Sequence, residues 1–221
     1  MRSDFMSQFI EAIQKVKAGP KRKFKQSVDM ILNLKNIDMK KAENKIKTEF
    51  TLPHKLPKQK IIGFFAGNLI PQVKELEGVR MIRRDEIDSY KGNKKKMKAL
   101  ARECYSFLSE APIMPSVGKV FGPVLAVRGK MPKPVPPATA NVEPLVENAR
   151  NTIQIALKAS PVIQLQVGTE DMDDQKISEN IEKVVSSIQA TLPRGKEQTK
   201  NVMIKLTMGK PEIVELNVKG K

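Results

Sequence analysis

The sequence predicts an α+β protein in which a discontinuous two-layer domain, an antiparallel sheet with helices, is interrupted by an inserted α/β domain. In both terminal thirds apolar residues alternate with polar ones, as in half-buried strands of an antiparallel sheet. The middle third instead has a continuous apolar run followed by helical stretches, which favours a small parallel sheet. Because one strand pair with one helix buries little core, we expect the two ends of the chain to complete each other.

The N-terminal region is predicted to contain one helix and two strands. Apolar residues recur at helical spacing from Phe5 to Val16, and Gly19-Pro20 ends this run. The apolar period then changes to two from Phe24 to Leu34, and it is two again from Ile46 to Leu52. We expect these two strands to pair with each other.

The α/β pattern begins after a proline-containing boundary, TLPHKLPK, from Thr51 to Lys58. Ile61 to Ala66 is predicted to be a strand covered on both faces. Further helices are predicted at 70–76, 85–90, 94–103 and 144–157, and further strands at 79–82 and 104–108. We assign residues 1–66 and 156–221 to the discontinuous domain and residues 67–155 to the inserted domain.

A segment rich in glycine, proline and basic residues, from Lys119 to Pro137, is predicted to be a rigid basic loop. Each proline fixes its own φ, removes an amide donor and pushes the preceding residue towards extended geometry, which argues against a helix or a central strand. Such a loop can approach an anionic surface as phosphate-binding loops do. A proline-rich linker between two domains is the alternative.

The last third returns to the pattern of the first. A strand is predicted from Val162 to Val167, and Asp173 and Asp174 can start a helix. The buried stripe of this helix is predicted to be Ile177, Ile181, Val184, Val185 and Ile188. Two further strands are predicted, from Val202 to Met208 and from Ile213 to Val218.

The charge of the chain points to a polyanionic partner. The 221 residues include 40 Lys and Arg against 24 Asp and Glu, which gives a formal charge of +16 and a pI near 9.9. The excess is concentrated in the first two thirds. No apolar run approaches the ~20 residues that a membrane-spanning helix needs, and the N-terminus does not resemble a signal peptide. With a single cysteine, Cys104, the chain fits a reducing, cytoplasmic compartment.

Residues for enzyme chemistry are scarce. His54 is the only histidine, and it has no obvious partner for a catalytic triad. With one His and one Cys, a structural zinc site is effectively excluded, and the acidic cluster at 171–174 lacks the glycine and closing glutamate of a calcium loop. Gly122 and Gly129-Lys130 do not form a P-loop. We therefore expect no metal and no cofactor.

Two segments are suited to binding RNA. Lys21 to Lys25, KRKFK, surrounds one aromatic residue with four charges immediately before a strand, so the lysines can contact phosphates while Phe24 stacks on a base. Alternatively, Phe24 is the first core residue of its strand. Thr207-Met208-Gly209 places a hydroxyl beside bare backbone at a strand end, which suits a 2′-hydroxyl and a close sugar-phosphate approach. The Lys94 to Lys98 cluster is typical of a solvated helix face.

Three separated motifs resemble the large-subunit ribosomal protein L-one family in its archaeal form. In chain order they are TLPHKLPK (Thr51 to Lys58), FGPVLAVRGKMPKPVPP (Phe121 to Pro137) and LTMGKP (Leu206 to Pro211). The resemblance covers essentially the whole chain and implies a discontinuous α+β domain with a small Rossmann-like insertion. It also implies binding of 23S ribosomal RNA at the mobile stalk beside the tRNA exit site, and translational repression through the protein's own messenger RNA.

The resemblance and the charge pattern together predict the site. By position, the family's RNA contacts correspond to Lys23, Phe24, Ser27, Thr207, Met208 and Gly209. Secondary contacts are expected from basic side chains, namely Lys21, Arg22, Lys25, Lys205, Arg128, Lys130 and Lys133.

We therefore expect a non-enzymatic constituent of the large ribosomal subunit, monomeric when free and without a membrane partner. Its expected partners are the stalk region of 23S ribosomal RNA, exit-site tRNA and its own messenger RNA leader. Two alternatives come from other classes. One is a general basic nucleic-acid-binding protein, and the other is an enzyme with a nucleotide pocket in the inserted domain, although that domain has no phosphate-binding fingerprint.

Overall fold

The computed structural model describes residues 2–20, 22–37, 47–57, 60–137, 139, 141–157 and 160–216. In these residues the α-helices are α1 Arg2–Lys17, α2 Ile70–Lys74, α3 Arg84–Ile87, α4 Lys94–Glu103, α5 Met114–Leu125, α6 Glu143–Asn151 and α7 Asp174–Thr191. The strands are β1 Ser27–Leu34, β2 Lys47–Thr51, β3 Ile62–Ala66, β4 Val79–Arg83, β5 Ser106–Glu110, β6 Lys133–Val135, β7 Thr152–Ala156, β8 Val162–Thr169, β9 Thr199–Leu206 and β10 Glu212–Glu215. The α+β class with a separate parallel sheet is as predicted.

The chain divides into two compact units. The discontinuous unit joins Met1–Pro57 with Asn151–Lys221, and the inserted unit is Lys58–Arg150. These divisions differ from the predicted boundaries at residues 66 and 155. The reason is hydrogen bonding: β3 pairs with β4 and β5 and so belongs to the insertion, whereas β7 pairs with β2 and so belongs to the discontinuous unit.

The discontinuous unit is built on a four-stranded antiparallel sheet with strand order β10-β9-β1-β8. In β1, buried and half-buried residues alternate strictly, as the sequence predicted. The inward face packs on α1 and α7, and the predicted stripe of α7 from Ile177 to Ile188 is buried in this core. On the outer face of the sheet, opposite this core, the described residues of β1 are half-buried.

Two predictions for this unit were wrong. β1 and β2 do not pair, because β1 lies between β8 and β9, and β2 pairs with β7 in a separate two-stranded sheet. The helix predicted to reach residue 157 ends at Asn151. The residues that follow, TIQIA, include three β-branched side chains and form β7, with Ile153 and Ile155 buried.

The inserted unit is a four-stranded parallel sheet with strand order β4-β3-β5-β6 and helices on both faces. Neighbouring residues of the fully buried β3 enter different cores: Phe65 packs in the cluster with α4 and α5, and Phe64 packs in the cluster with α2 and α6. This arrangement is the Rossmann-like architecture that the family resemblance implied.

The segment from Lys119 to Pro137 is not the single loop that its prolines predicted. Its first part belongs to α5, with Pro123 inside the helix, and its last part includes β6. Pro123 follows Gly122, which has no Cβ to clash with the proline ring, and the buried Phe121 and Val124 hold this turn against the core. The residues between are a turn with Gly129 at a φ of 69°.

Among the residues described, no helix is long and apolar enough to cross a membrane.

Candidate nucleic-acid interface

Three strand ends meet at one edge of the antiparallel sheet. β1 begins at Ser27, which lies opposite Thr169 at the end of β8, and Val28 lies opposite Leu206 at the end of β9. Because neighbouring strands run in opposite directions, the start of β1 meets the ends of both partners. The fold thus brings Ser27 and Thr207 together although they are 180 positions apart in the sequence.

Backbone and hydroxyl groups join Ser27 to Thr207. The Ser27 amide donates to Thr207 Oγ1 at 3.2 Å, and the Thr207 amide donates to the Ser27 carbonyl at 3.1 Å. Thr207 Oγ1 also lies 3.4 Å from that carbonyl, to which it can donate. Thr207 is solvent-exposed, so its hydroxyl can accept a further hydrogen bond from a ligand.

The turn after β9 presents a flexible apolar side chain on a fixed backbone. Met208 is 61% exposed, while its amide donates to Gln26 Oε1 at 3.1 Å. The Gly209 amide donates to the Leu206 carbonyl at 3.0 Å, and a Cβ at position 209 would lie 3.2 Å from Leu206 Cβ. Glycine is therefore favoured at 209 because the turn folds tightly onto Leu206.

Gln26 supports this turn from below and was not singled out in the sequence. It is 1% exposed, and its backbone carbonyl accepts from the Glu170 amide at 2.9 Å. Its side chain therefore links β1, through Met208, to the turn after β9. The alternation of β1 could have pointed to Gln26, because position 26 continues the series of inward residues Val28 and Met30. A glutamine buried there needs a hydrogen-bond partner.

The segment before β1 is exposed and basic. Phe24 is 52% exposed, so the alternative that it is the first core residue of β1 is wrong. Arg22 and Lys23 are also exposed, whereas Lys21 lies outside the described residues. Lys25 forms an ion pair with Asp171 at 2.7 Å, and the hydrogen bond and charge of Asp171 raise the pKa of Lys25. This pair ties the basic segment to the turn after β8.

A β-bulge shapes β8 beside the site. Val28 lies opposite Gly168 but Asp29 lies opposite Gln166, so Val167 is the extra residue. The Val167 carbonyl accepts a hydrogen bond from Asn180 Nδ2 at 2.9 Å. A Cβ at Gly168 would lie 2.8 Å from Ile177 Cγ1, so only glycine allows α7 this close. Because of this extra residue, both Gln166 and Thr169 lie opposite outward residues of β1, namely Asp29 and Ser27.

The outer face of the sheet carries one row of polar residues next to Ser27 and Thr207. Asp29 on β1 lies opposite Lys205 on β9 and Gln166 on β8. All three are half-buried. Burial raises the pKa of the Asp29 carboxyl, and the positive charge of Lys205 acts in the opposite direction.

The predicted secondary residues of the inserted unit differ in their availability. Lys130 Nζ donates to the carbonyls of Ala101 at 2.9 Å and Cys104 at 2.6 Å, and burial lowers the pKa of this lysine. Its ammonium group is thus used inside the unit. Arg128 and Lys133 are half-buried, while the lysines of α4 outside the core, Lys94, Lys95, Lys96 and Lys98, are exposed.

In the inserted unit, a carboxylate occupies the position where a Rossmann-like fold would bind a phosphate. Glu110, at the end of β5, is 1% exposed and accepts hydrogen bonds from the amides of Gly67, Asn68 and Leu69 at 2.7, 3.0 and 2.8 Å. These amides follow β3, at the carboxyl edge where nucleotides bind in open α/β sheets. The chain thus satisfies these donors itself.

Other enzyme features are also weak. Burial raises the pKa of the Cys104 thiol to about 11, which leaves it protonated and inert at neutral pH. Within the described ranges, no group of three or more His, Cys, Asp and Glu residues could hold a metal ion.

Comparison with known proteins identifies the family. The model of the Ribosomal protein L1p/L10e family matches residues 14–210, nearly the whole chain. The chain belongs to this family. Its relatives include proteins named large ribosomal subunit protein uL1: that of Thermococcus kodakarensis is 40% identical over 93% of this chain and 96% of its own length. The protein of Methanothermobacter thermautotrophicus is 42% identical over 91% of this chain and 96% of its own length. The protein of Methanocaldococcus jannaschii is 43% identical over 85% of this chain and 85% of its own length.

Membership of the family is what the three motifs implied. The three relatives named above are archaeal, as expected from the form that the motifs resemble. The strand-end surface, formed by Ser27, Thr207 and Met208, and the exposed basic segment before β1 both lie inside the matched range.

Proposed function

We propose that the protein is a structural constituent of the large ribosomal subunit that binds the stalk region of 23S ribosomal RNA through its discontinuous unit. The observation that carries the proposal is the strand-end surface of Ser27, Thr207 and Met208, which adjoins the exposed basic segment with Phe24. The relatives, which bear the name of a large ribosomal subunit protein, support the same assignment.

Charge and shape have separate tasks in this proposal. Arg22, Lys23 and Lys205 contact phosphates and supply affinity that salt weakens. Lys25 keeps its ion pair with Asp171 and so contributes less. Phe24 stacks on an unpaired base, which rigid duplexes do not offer.

The turn at Thr207 to Gly209 recognises irregular RNA. The Thr207 hydroxyl can accept a hydrogen bond from a 2′-hydroxyl. The fixed backbone at Gly209, which has no side chain, leaves room for a close approach of the sugar-phosphate chain. This turn is built on buried Gln26 and so is held in place before RNA arrives.

Several finer parts of the function follow from the family resemblance. The protein contacts exit-site tRNA from the mobile stalk, and it binds its own messenger RNA leader, which imitates the ribosomal site, and so represses translation. It is a monomer when free and works on the cytoplasmic ribosome. Arg128 and Lys133 of the inserted unit provide secondary contacts, whereas Lys130 does not, because its ammonium group is already bound to carbonyls.

A filter-binding titration at several salt concentrations tests the proposal. A stalk RNA fragment and a random RNA duplex of equal length serve as ligands. We expect tighter binding of the stalk fragment and a slope of log affinity on log salt of roughly −4, as for about five neutralised phosphates on the duplex-DNA calibration. Equal affinity for both RNAs would leave the general basic nucleic-acid-binding protein as the better description.

A further inference from the structure

The outward side of α4 carries a row of positive charge on the inserted unit. Lys95, Lys98 and Arg102 are three and four positions apart, so they lie on one side of the helix, and all three are exposed. We call these three residues the α4 stripe. The stripe extends over about 10 Å of the helix. The opposite side of α4 is buried in the core of the unit, which fixes the direction in which the stripe faces.

The α4 stripe has no charge partner in the part of the chain that the structure describes. None of its side chains forms an ion pair there, and Glu103 is the only acidic residue of the helix. Like charges at a spacing of three or four residues repel each other and destabilise a helix. An anionic ligand would remove this repulsion.

The first turn of α4 adds to the unfavourable charge. It contains Lys94, Lys95 and Lys96 and no acidic residue, although the helix macrodipole favours negative charge at this end. The cap is the uncharged Asn93, whose Oδ1 accepts from the Lys96 amide at 3.1 Å. The helix is held instead at its other end, where Lys130 Nζ donates to two backbone carbonyls at 2.9 and 2.6 Å. Such a departure from local preference is expected at a functional surface.

The composition of this surface selects the kind of partner. Apart from Ala99, the exposed residues of α4 are all charged, whereas lysine is depleted at protein–protein interfaces. The exposed side of α4 has no aromatic side chain that could stack on an unpaired base. The backbone of an RNA duplex, by contrast, offers closely spaced phosphates that basic side chains contact without reading the sequence.

We propose that the α4 stripe binds the phosphate backbone of an RNA duplex, and that this duplex is a second RNA, bound in addition to the stalk RNA at the strand-end surface. The inference goes beyond the proposed function, because it gives the inserted unit an RNA surface of its own that does not depend on RNA sequence.

The test adds a labelled random RNA duplex to the full chain that is already saturated with a differently labelled stalk fragment. We expect a ternary complex on native gels. When the salt concentration rises fourfold, affinity for the duplex should fall roughly 40-fold, as for about three neutralised phosphates on the duplex-DNA calibration. The triple variant Lys95→Gln, Lys98→Gln and Arg102→Gln should lose the ternary complex and bind the stalk fragment as tightly as the wild type.

The matched control is the triple variant Lys183→Gln, Lys196→Gln and Lys200→Gln. It removes the same charge from three exposed lysines of the discontinuous unit and should keep the ternary complex. Circular dichroism checks that both variants fold.

The inference is overturned if the wild type forms no ternary complex, or if both variants lose it equally. It is also overturned if the stripe variant loses affinity for the stalk fragment, because α4 would then be part of the first RNA site. The proposed function fails in a different way, namely if the wild type does not prefer the stalk fragment when the two RNAs compete.

Discussion

At the scale of single residues, Thr207 has two roles that one substitution can separate. Its hydroxyl accepts from the Ser27 amide and faces solvent at the surface proposed for RNA. Since the site is exposed, water can replace the hydroxyl for Ser27 in the free protein, so the hydroxyl matters more for RNA than for folding.

Thr207→Val should therefore weaken binding of the stalk fragment by roughly 1–3 kcal/mol, the effect of an unsatisfied group buried under RNA. Binding of the random duplex should change little, and filter binding measures both. Thr191→Val on α7 is the control, because Thr191 is an exposed threonine whose hydroxyl donates to Ser187. Equal losses on both RNAs would contradict specific recognition.

Lys60 links stability of the inserted unit to pH. Its Nζ lies 4.0 Å from the Tyr105 ring centre, and burial lowers its pKa from 10.5 to about 8. Between these two pKa values the unfolded chain binds a proton that the folded chain does not. The free energy of unfolding therefore rises with pH from about 8 to about 10.5.

Lys60→Met should stabilise the unit at neutral pH by about 1 kcal/mol, a value reduced for solvent screening of a half-exposed group. The gain should shrink as pH rises from about 8 through 10.5, because above 10.5 wild-type Lys60 is neutral in both states. Urea unfolding followed by circular dichroism at several pH values measures it. Lys98→Met, at an exposed position of α4, is the control. A gain independent of pH would show that Lys60 does not titrate as described.

At the scale of elements, Asn180 fixes both the bulge of β8 and the loop that leaves β2. It is fully buried in α7, donates to the carbonyls of Val167 and His54, and accepts from the His54 amide at 3.0 Å. His54, the only histidine, also pairs with Glu179 at 2.5 Å. These contacts of His54 hold the loop against α7.

Asn180→Ala leaves several buried backbone groups without partners and should lower the free energy of unfolding by roughly 1–3 kcal/mol. Urea unfolding measures this loss. Ser186→Ala, at an exposed position of the same helix, should have little effect. If the two variants were equally stable, Asn180 would not carry the bulge.

Periodicity predicted most elements because burial imposes it directly. The stripe of α7 and the alternation in β1 follow from one buried face each. Proline was a weaker guide, because Pro123 lies in α5 where packing of Phe121 outweighs its preference. The pairing of β1 with β8 and β9 could not be read from the sequence, since it depends on contacts far apart in the chain.

The site shows the same division. Thr207, Met208 and Phe24 were predicted from motifs and from the family resemblance. The alternation of β1 places Gln26 on the buried face, but its bond to the Met208 amide and the Lys25–Asp171 pair depend on how the strand ends meet. The alternation of β1 placed Asp29 on a face, but its neighbour Lys205 depends on register. Lys130 was predicted to contact RNA because of its charge. In the fold its ammonium group donates to two backbone carbonyls instead.

At the scale of the whole molecule, the insertion leaves and re-enters the discontinuous unit at one place. Thr51, the last residue of β2, lies opposite Thr152, the first residue of β7, and the Leu52 amide donates to the Asn151 carbonyl at 3.2 Å. A short linker can therefore replace the insertion without stretching either strand.

Replacing residues 58–150 with a short glycine-rich linker should leave a folded discontinuous unit that retains most affinity for the stalk fragment, because the strand-end surface lies wholly in this unit. Filter binding and circular dichroism measure both properties. A folded unit with no affinity for the stalk fragment would place the main contact in the insertion.

The most direct test of the RNA surface is ultraviolet crosslinking in purified large ribosomal subunits, with the crosslinked peptides identified by mass spectrometry. Phe24 and Met208 are exposed, and they lie in the two segments that adjoin Ser27 and Thr207 in the sequence. The proposal predicts crosslinks to 23S ribosomal RNA in the peptides that contain Phe24 and Met208. Crosslinks confined to peptides from residues 60–150 would contradict it.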